Sequence, residues 1–490
     1  MKKLTYHIQT FGCQMNYSDS ERIANFLEIL GFTESKAKDK ANLCIINTCS
    51  VRQKAEDKAI GFLTNWKKNN PKNFVGLTGC MIRNTGIPET VKDKIFKNKR
   101  IDFIFQIKDL LDLQKILNNF FSQLSENFFS TSFKTCPFPF YQISEETTTI
   151  DTNKTKQLIK KSVQKSNNQI QDCETDKNFL NKPKSYFAIP PKIKNKTQVF
   201  VPIMTGCNKF CSYCIVPYSR GPEVSRPLDQ IFFECENLVK NGAKEITLLG
   251  QNVNSYMHEN KKNFPLLLKK IDTLHKKGLS RLRFTSSHPQ DFSEETLDIL
   301  FNMKTFCSHI HIPAQHGSDP ILKKMNRNYT KKNFLDIVKN IRKKNPNISL
   351  TTDIIVGFPG ETEKNFEELC DFAKEVEFDF SYTAIFSSRP NTAAAEMKSE
   401  FIDYNTKKQR FRIFDNIIKK TAFRRRKKII GSTLEILVEN SVLQKNNKWK
   451  NIGRSREFLE TEFFSDKNLL HQEVDVKIVG NKNYILQGEL

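Results

Sequence analysis

The chain has 490 residues, 38% hydrophobic and 27% charged, with 78 Lys plus Arg against 54 Asp plus Glu and a formal net charge of +24. Such a length holds two to four domains with a sizeable core, and the positive field favours a polyanionic partner. No apolar run nears the ~20 residues of a membrane span, the start MKKLTYHIQTFGC lacks a signal-peptide core, and the twelve cysteines are expected to be reduced, in the cytoplasm, as metal or redox ligands.

Residues 1–121 read as strand–helix alternation. YHIQTFGC, ANLCIINTC and NFVGLTGC are apolar runs ending in Cys13, Cys49 and Cys80, spaced 36 and 31 residues apart. Helical stretches lie between them, the first with Ser18 or Asp19 as N-cap. In a parallel sheet such runs end on one edge, where ligands bind. Three cysteines far apart in sequence would therefore converge. The competing reading is three buried strand-end cysteines.

Residues 122–195 are rich in Lys, Asn, Thr and Gln with little periodicity. They read as a low-complexity insertion or linker, largely disordered and without a catalytic role. Cys136, Cys173 and the patch CPFPFY fall inside it.

Six strand-like runs then alternate with helices: TQVFVPIM, EITLLG, RLRFTS, CSHIHIP, SLTTDIIVGF and FSYTAIF. This pattern predicts a partial (β/α)6 barrel within residues 196–430. After the first run comes GCNKFCSYC, which holds Cys207, Cys211 and Cys214 as C-x3-C-x2-C. Three thiolates on one loop can hold three irons of a cubane cluster and leave the fourth open for chemistry. The spacing differs from the common zinc pattern, in which paired clips come in twos or are completed by histidines; the competing reading is a zinc knuckle or a chance cluster of buried cysteines. Gly250, Gln251, Asn252, Ser286, Ser287, His288, Gln315, His316, Gly357 and Glu361 all follow strands and share one rim. His309 and His311 read as structural, one pointing inward and one outward.

Tyr404–Ile430 carries eleven Lys or Arg and the single acid Asp415. Phe411, Ile413, Phe414, Ile417, Ile418 and Phe423 fit one side of a helix, and the cations would cover the rest beside phosphates. Residues 431–490 read as short strands of a small antiparallel β-barrel. There Lys445, Lys448, Trp449, Lys450, Arg454 and Arg456 are candidate nucleic-acid contacts.

The motifs QTFGCQMN, NTCSVRQKAEDKA, GCNKFCSYCIVPYSRGPEVSRP, LLGQNVNSY, FTSSHP, HIPAQHGSDPILKKMNRNYT and DIIVGFPGETEKNFEE carry a resemblance. Outside 122–195 the chain resembles the radical S-adenosylmethionine (SAM) methylthiotransferases, and within them the MiaB type, the isopentenyladenosine branch. It departs from that pattern at His316, where serine is expected, and at Asn391, where glycine is usual.

The resemblance implies an α/β protein: an N-terminal methylthiotransferase domain (1–121), a radical SAM domain with a basic C-terminal helix (196–430) and a TRAM domain (431–490). It implies two 4Fe-4S clusters, an auxiliary one on Cys13, Cys49 and Cys80 and one on Cys207, Cys211 and Cys214 that is coordinated with SAM. Tyr213, Gly250, Gln251 and Gln315 would contact SAM. Lys448, Lys450, Arg454, Arg456, Arg424, Arg425 and Arg426 would contact RNA. The implied activity adds a methylthio group to C2 of N6-isopentenyladenosine next to the anticodon. The implied partners are the tRNA anticodon arm, a reduced flavodoxin- or ferredoxin-like electron donor and a sulfur donor. A monomer without a membrane association is expected. A methylthiotransferase acting on threonylcarbamoyl-adenosine or on a ribosomal protein would share the metal chemistry. A non-enzymatic iron–sulfur RNA-binding regulator would need no open iron.

Overall fold

A computed structural model of the chain describes residues 4–50, 53–82, 101–121 and 185–490. The first unit is a parallel sheet of β1 (Thr5–Phe11), β2 (Thr33–Glu34), β3 (Leu43–Thr48), β4 (Phe74–Gly79) and β5 (Phe103–Ile104), in the order β2–β1–β3–β4–β5. Strand β3 is apolar on both faces because helices cover both. Leu43 and Ile45 join the core beneath the helix Gln14–Ile29, while Cys44 and Ile46 face the helix Gln53–Asn69.

The first helix begins earlier than its sequence signals. Cys13, not Ser18 or Asp19, is the N-cap, and the backbone N–H of Cys13 donates to Asn16 Oδ1 at 3.2 Å. Asn16 also donates to Asn47 Oδ1 at 2.9 Å, which fixes the helix start to β3. Ser18 and Asp19 end up buried inside the helix.

The expected insertion, with Cys136, Cys173 and CPFPFY, lies outside the described residues as far as 184. Its last stretch, from 185, is packed and not disordered. Tyr186 and Phe187 are buried against the first sheet's core, and the Phe187 carbonyl accepts from Arg22 at 3.3 Å.

Six parallel strands follow: β6 (Gln198–Pro202), β9 (Glu245–Leu249), β12 (Arg281–Phe284), β13 (His309–His311), β14 (Ser349–Val356) and β15 (Phe380–Ile385). The intervening numbers are two short hairpins, β7 (Met204–Thr205) with β8 (Val224–Ser225), and β10 (Met257–His258) with β11 (Lys261–Lys262). The six strands form two triplets, β6–β9–β12 and β13–β14–β15, joined by a bridge between Leu282 and Phe306. This is the predicted partial barrel, with β6 and β15 as its free edges. Val199, Val201, Ile246 and Leu248 pack outward on helices, so the alternate positions Gln198, Phe200, Glu245 and Thr247 face inward. His309 and His311 share one face, as a period of two requires. Both ring systems reach Thr351 Oγ1, at 2.8 and 3.0 Å.

The C-terminal unit is a closed barrel of β16 (Thr433–Leu443), β17 (Trp449–Ser455), β18 (Glu460–Ser465), β20 (Ile485–Glu489) and β19 (Glu473–Lys482), in that spatial order. Its pairs are antiparallel except β18 with β20, which is parallel. Strands β17 and β18 are separated by a short turn at 456–459.

This small barrel caps the amino ends of the six strands. Arg281, fully buried, donates to Glu473 Oε1 (3.0 Å), the Arg454 carbonyl (2.7 Å) and Glu435 Oε1 (2.9 Å). Phe458 stacks on His309 with ring centres 4.7 Å apart, and the guanidiniums of Arg283 and Arg454 lie 5.2 and 5.1 Å from its ring. Among the described residues no helix is long and apolar enough to cross a membrane.

Candidate active site

Two cysteine triads lie at carboxyl ends of parallel strands. Cys49 and Cys80 directly follow β3 and β4, and Cys13 follows β1 by two residues. Thr48 pairs with Phe11 on one side and Gly79 on the other, so the three chains leave the sheet side by side. Gly79 has φ +95, and a Cβ there would lie 2.3 Å from the Thr48 carbonyl. A side chain before Cys80 would thus break the strand end that delivers it.

The second triad is a loop closed at its base by β7 and β8, with Met204 opposite Ser225 and Thr205 opposite Val224. Gly206 has φ +81, and a Cβ would fall 1.9 Å from the Pro222 carbonyl. Only glycine fits before Cys207. Cys207 N–H donates to the Gly221 carbonyl at 3.2 Å, and Cys214 N–H to the Cys211 carbonyl at 2.9 Å. Lys209 anchors the loop to Asp291 at 2.7 Å. Burial disfavours the ionised Asp291, but its bonds to Lys209, Lys262 and Asn252 hold its carboxyl down at about 2.

Burial pushes the Cys207 thiol up to about 11 and the Cys214 thiol up to about 12. In the first triad a hydrogen bond from Cys49 draws the exposed Cys13 down to about 6, with the Arg220 charge helping. Burial raises Cys80. Among the described residues no three His, Cys, Asp or Glu side chains gather around one metal ion. A cubane does not ask for that, since each thiolate binds a different iron. Three thiols, a preorganised loop and a guanidinium on one sulfur of each triad suit such a cluster. Arg220 Nε donates to Cys80 Sγ at 3.3 Å, and Arg327 reaches Cys211 Sγ at 3.5 Å.

The rim offers polar atoms with no protein partner. Gln251 Oε1 and Ser287 Oγ are buried and unpaired among the described residues, at the ends of β9 and β12. Tyr213 packs edge-on to Phe358, 6.4 Å between ring centres, beside Cys211 and Cys214. Gln315 holds φ +64, with its backbone bridged to β14. Gly250 lies against the side chain of Met204. Tyr213 thus borders the second triad, and the orphaned acceptors of Gln251 and Ser287 at strand carboxyl ends suit the amino and hydroxyl groups of a bound ligand.

A cavity of about 640 Å³ lies where the three units meet. Gln14 and Tyr17 bring it to the helix that starts at Cys13, Phe200 and Tyr382 to the gap between β6 and β15, and Arg454 and Phe458 to the C-terminal barrel. Sequence reasoning missed it because its walls come from segments hundreds of residues apart.

The basic helix, Tyr404–Lys427, departs from its expected face. Phe414 and Ile418 are buried as expected, but Ile413 and Phe423 are exposed while Arg410 and Arg426 are buried. The helix touches both β15 and β19, so more than one side is covered. Arg425 binds Asp379 at 2.9 Å, and Arg426 donates to the Asp379 carbonyl at 3.1 Å and lies over Tyr484. Arg424 pairs with Glu377. In the small barrel Lys448 pairs with Asp466, Lys450 with Glu462, Arg454 with Glu439 and Arg456 with Glu435. Arg424, Arg425, Arg426, Lys448, Lys450, Arg454 and Arg456, expected from sequence to meet RNA, therefore each have an intramolecular carboxylate or carbonyl partner.

Residues 201–373 match the family model described as Radical SAM superfamily, and residues 5–105 match uncharacterized protein family UPF0004. A tRNA-2-methylthio-N(6)-dimethylallyladenosine synthase from Clostridium botulinum is 36% identical over 489 residues, 99% of this chain and 96% of that protein. Enzymes of the same name from Thermoanaerobacter sp. and Caldicellulosiruptor saccharolyticus are each 35% identical over 494 residues, covering 100% of this chain and 93% of theirs. Among solved structures, the radical S-adenosylmethionine methyltransferase TsrM from Kitasatospora setae overlays with a TM-score of 0.52 at 15% identity, covering 80% of this chain and 75% of that one, a likeness of fold. The chain belongs to the radical SAM methylthiotransferases, in the family of the tRNA-2-methylthio-N(6)-dimethylallyladenosine synthases.

Proposed function

We propose that this chain transfers a methylthio group to the adenine of N6-dimethylallyladenosine in tRNA, using SAM and two 4Fe-4S clusters. The observation that carries the reading is the pair of cysteine triads at strand carboxyl ends, in a chain aligned end to end with enzymes of that name. Cys207, Cys211 and Cys214 would hold the cluster that binds SAM, and Cys13, Cys49 and Cys80 the second. When bound with SAM, such a cluster supplies an electron and a radical able to take hydrogen from an unactivated C–H bond.

The chain's own residues do the rest by placement. Lys209 and Asp291 fix the SAM-side loop, and Gln251, Ser287 and Gln315 offer polar groups to the cofactor, with Tyr213 packing beside it. The cavity between β6 and β15 has room for a base turned out of its stack. Tyr17, Phe200 and Tyr382 offer rings to it, and Gln9 and Gln14 offer amides. Lys408, Arg412, Lys420 and Lys427 are exposed, have no ion pair among the described residues, and fall within about 120° of each other around the helix axis. They would meet phosphates, with binding that weakens as salt rises. An electron donor of flavodoxin or ferredoxin type and a separate sulfur donor complete the reading.

The test is anaerobic reconstitution with iron and sulfide, reduction, and addition of SAM with isopentenylated tRNA, followed by mass spectrometry of the nucleosides. The methylthio nucleoside should form in the wild type and be lost in both Cys211→Ala and Cys49→Ala, with deoxyadenosine production surviving only in Cys49→Ala. Deoxyadenosine without a modified nucleoside in the wild type would leave a radical SAM enzyme with another substrate.

A further inference from the structure

The helix Val216–Arg220 begins two residues after Cys214, so its last residue belongs to the SAM-side loop. Its side chain nevertheless ends in the other triad. Arg220 Nε donates to Cys80 Sγ at 3.3 Å and Nη2 to Asp19 Oδ2 at 2.7 Å. The Arg220 and Asp19 side chains are 3% and 0% exposed. Asp19 lies in the helix that starts at Cys13. Arg220 Nη1 and Asp19 Oδ1 are buried with no partner among the described residues. Arg327 differs in that it stays within its own unit, between Cys211 and the Pro313 carbonyl.

We propose that Arg220 is a positioning residue through which the SAM-side unit sets the charge, and so the reduction potential, of a cluster on Cys13, Cys49 and Cys80. The Cys80 sulfur and the Asp19 carboxylate contact this one buried cation, and Cys13 lies near enough to feel its charge. Hydrogen bonds to ligand sulfur and net local charge are the protein's levers on cluster potential. A guanidinium suits the task because it stays protonated when buried and binds sulfur and carboxylate along one edge. The inference rests on the two-cluster reading above.

The experiment uses the full chain with Cys211→Ala, which retains only the second cluster. Arg220→Gln, Arg220→Lys and Asp19→Asn are added singly. Iron and sulfide content is measured, and a redox titration is followed by electron paramagnetic resonance. Arg220→Gln should lower the midpoint potential, Arg220→Lys should restore part of it, and Asp19→Asn should raise it. Loss of the cluster in Arg220→Gln with retention in Arg220→Lys also supports a role for the charge. A bridge that merely clamps two units predicts that Arg220→Gln and Asp19→Asn behave alike. Equal potentials, shifts of one sign, or cluster loss in Arg220→Lys as well as Arg220→Gln overturn the proposal. If the Cys211→Ala parent holds no cluster, the two-cluster reading falls and takes this inference with it. A loaded parent with unmoved variants overturns this inference alone.

Discussion

His316 Nε2 lies 3.1 Å from Glu361 Oε2, and neither side chain reaches solvent. The Ser318 N–H donates to His316 Nδ1 at 3.0 Å, which leaves the ring proton on Nε2 to meet the carboxylate. Glu361 also accepts from Gly357 N–H at 2.9 Å and from Arg410 at 2.8 Å. The network ties the loop after β13, with Gln315, to the loop after β14 and to the basic helix. His316→Ala should cost about 1–3 kcal/mol, the penalty of an unfilled buried partner. Arg410→Ala should cost about 3–5 kcal/mol, because it strands a buried carboxylate. Urea unfolding of both variants measures this order, and a reversed order contradicts it.

Asn391, the second departure from the family pattern, holds φ +66. Asparagine is among the few residues besides glycine that adopt this backbone routinely. Asn391→Gly should leave stability within about 0.5 kcal/mol of wild type. Asn391→Val should lose about 1–2 kcal/mol. Equal thermal midpoints for the two variants would argue against backbone strain as the selecting force.

Burial, followed by the charge of Arg327, pushes the His288 imidazole down to about 2. Its unfolded value is about 6.5. Between these values the unfolded chain binds a proton that the folded chain refuses. His288 therefore costs stability as pH falls below about 6.5, at up to about 1.4 kcal/mol per unit. The advantage of wild type over His288→Asn should shrink by about 2 kcal/mol from pH 7 to pH 5. A gap independent of pH would mean that the folded protein protonates His288 readily.

Deleting the C-terminal barrel is expected to damage more than RNA binding. Arg281 and Arg283 would lose their acceptors on Glu473, Glu435 and the carbonyls of Arg454, Ser455 and Arg456. Truncation after Ile430 should therefore lower the solubility or thermal midpoint of the remaining chain. A truncated chain as stable as the whole would show that these buried guanidiniums find water instead.

Charge reversal on the helix gives the cleaner RNA test. Lys420→Glu with Lys427→Glu should weaken tRNA binding, and the salt dependence should flatten by about 1 for each phosphate no longer neutralised. Arg426→Ala should instead lower stability, because its partners are Asp379 and Tyr484. Affinity unchanged over a salt series in the double variant would move the RNA to another face.

By itself the sequence determined the local chemistry. Strand runs ending in Cys13, Cys49 and Cys80, the Cys207–Cys214 loop and six strand–helix repeats were legible because periodicity and cysteine spacing are properties of neighbouring residues. Only the tertiary structure decided which charges are free. Arg425 and Arg426 look like phosphate contacts in a basic run, yet Asp379, about fifty residues away, takes both. The same holds for the N-cap at Cys13, chosen by Asn16 and its bond to Asn47, and for Arg220, whose partners Asp19 and Cys80 lie in another unit. A long side chain satisfies its charge with whatever the fold brings within about 3 Å, and one-dimensional spacing does not record that.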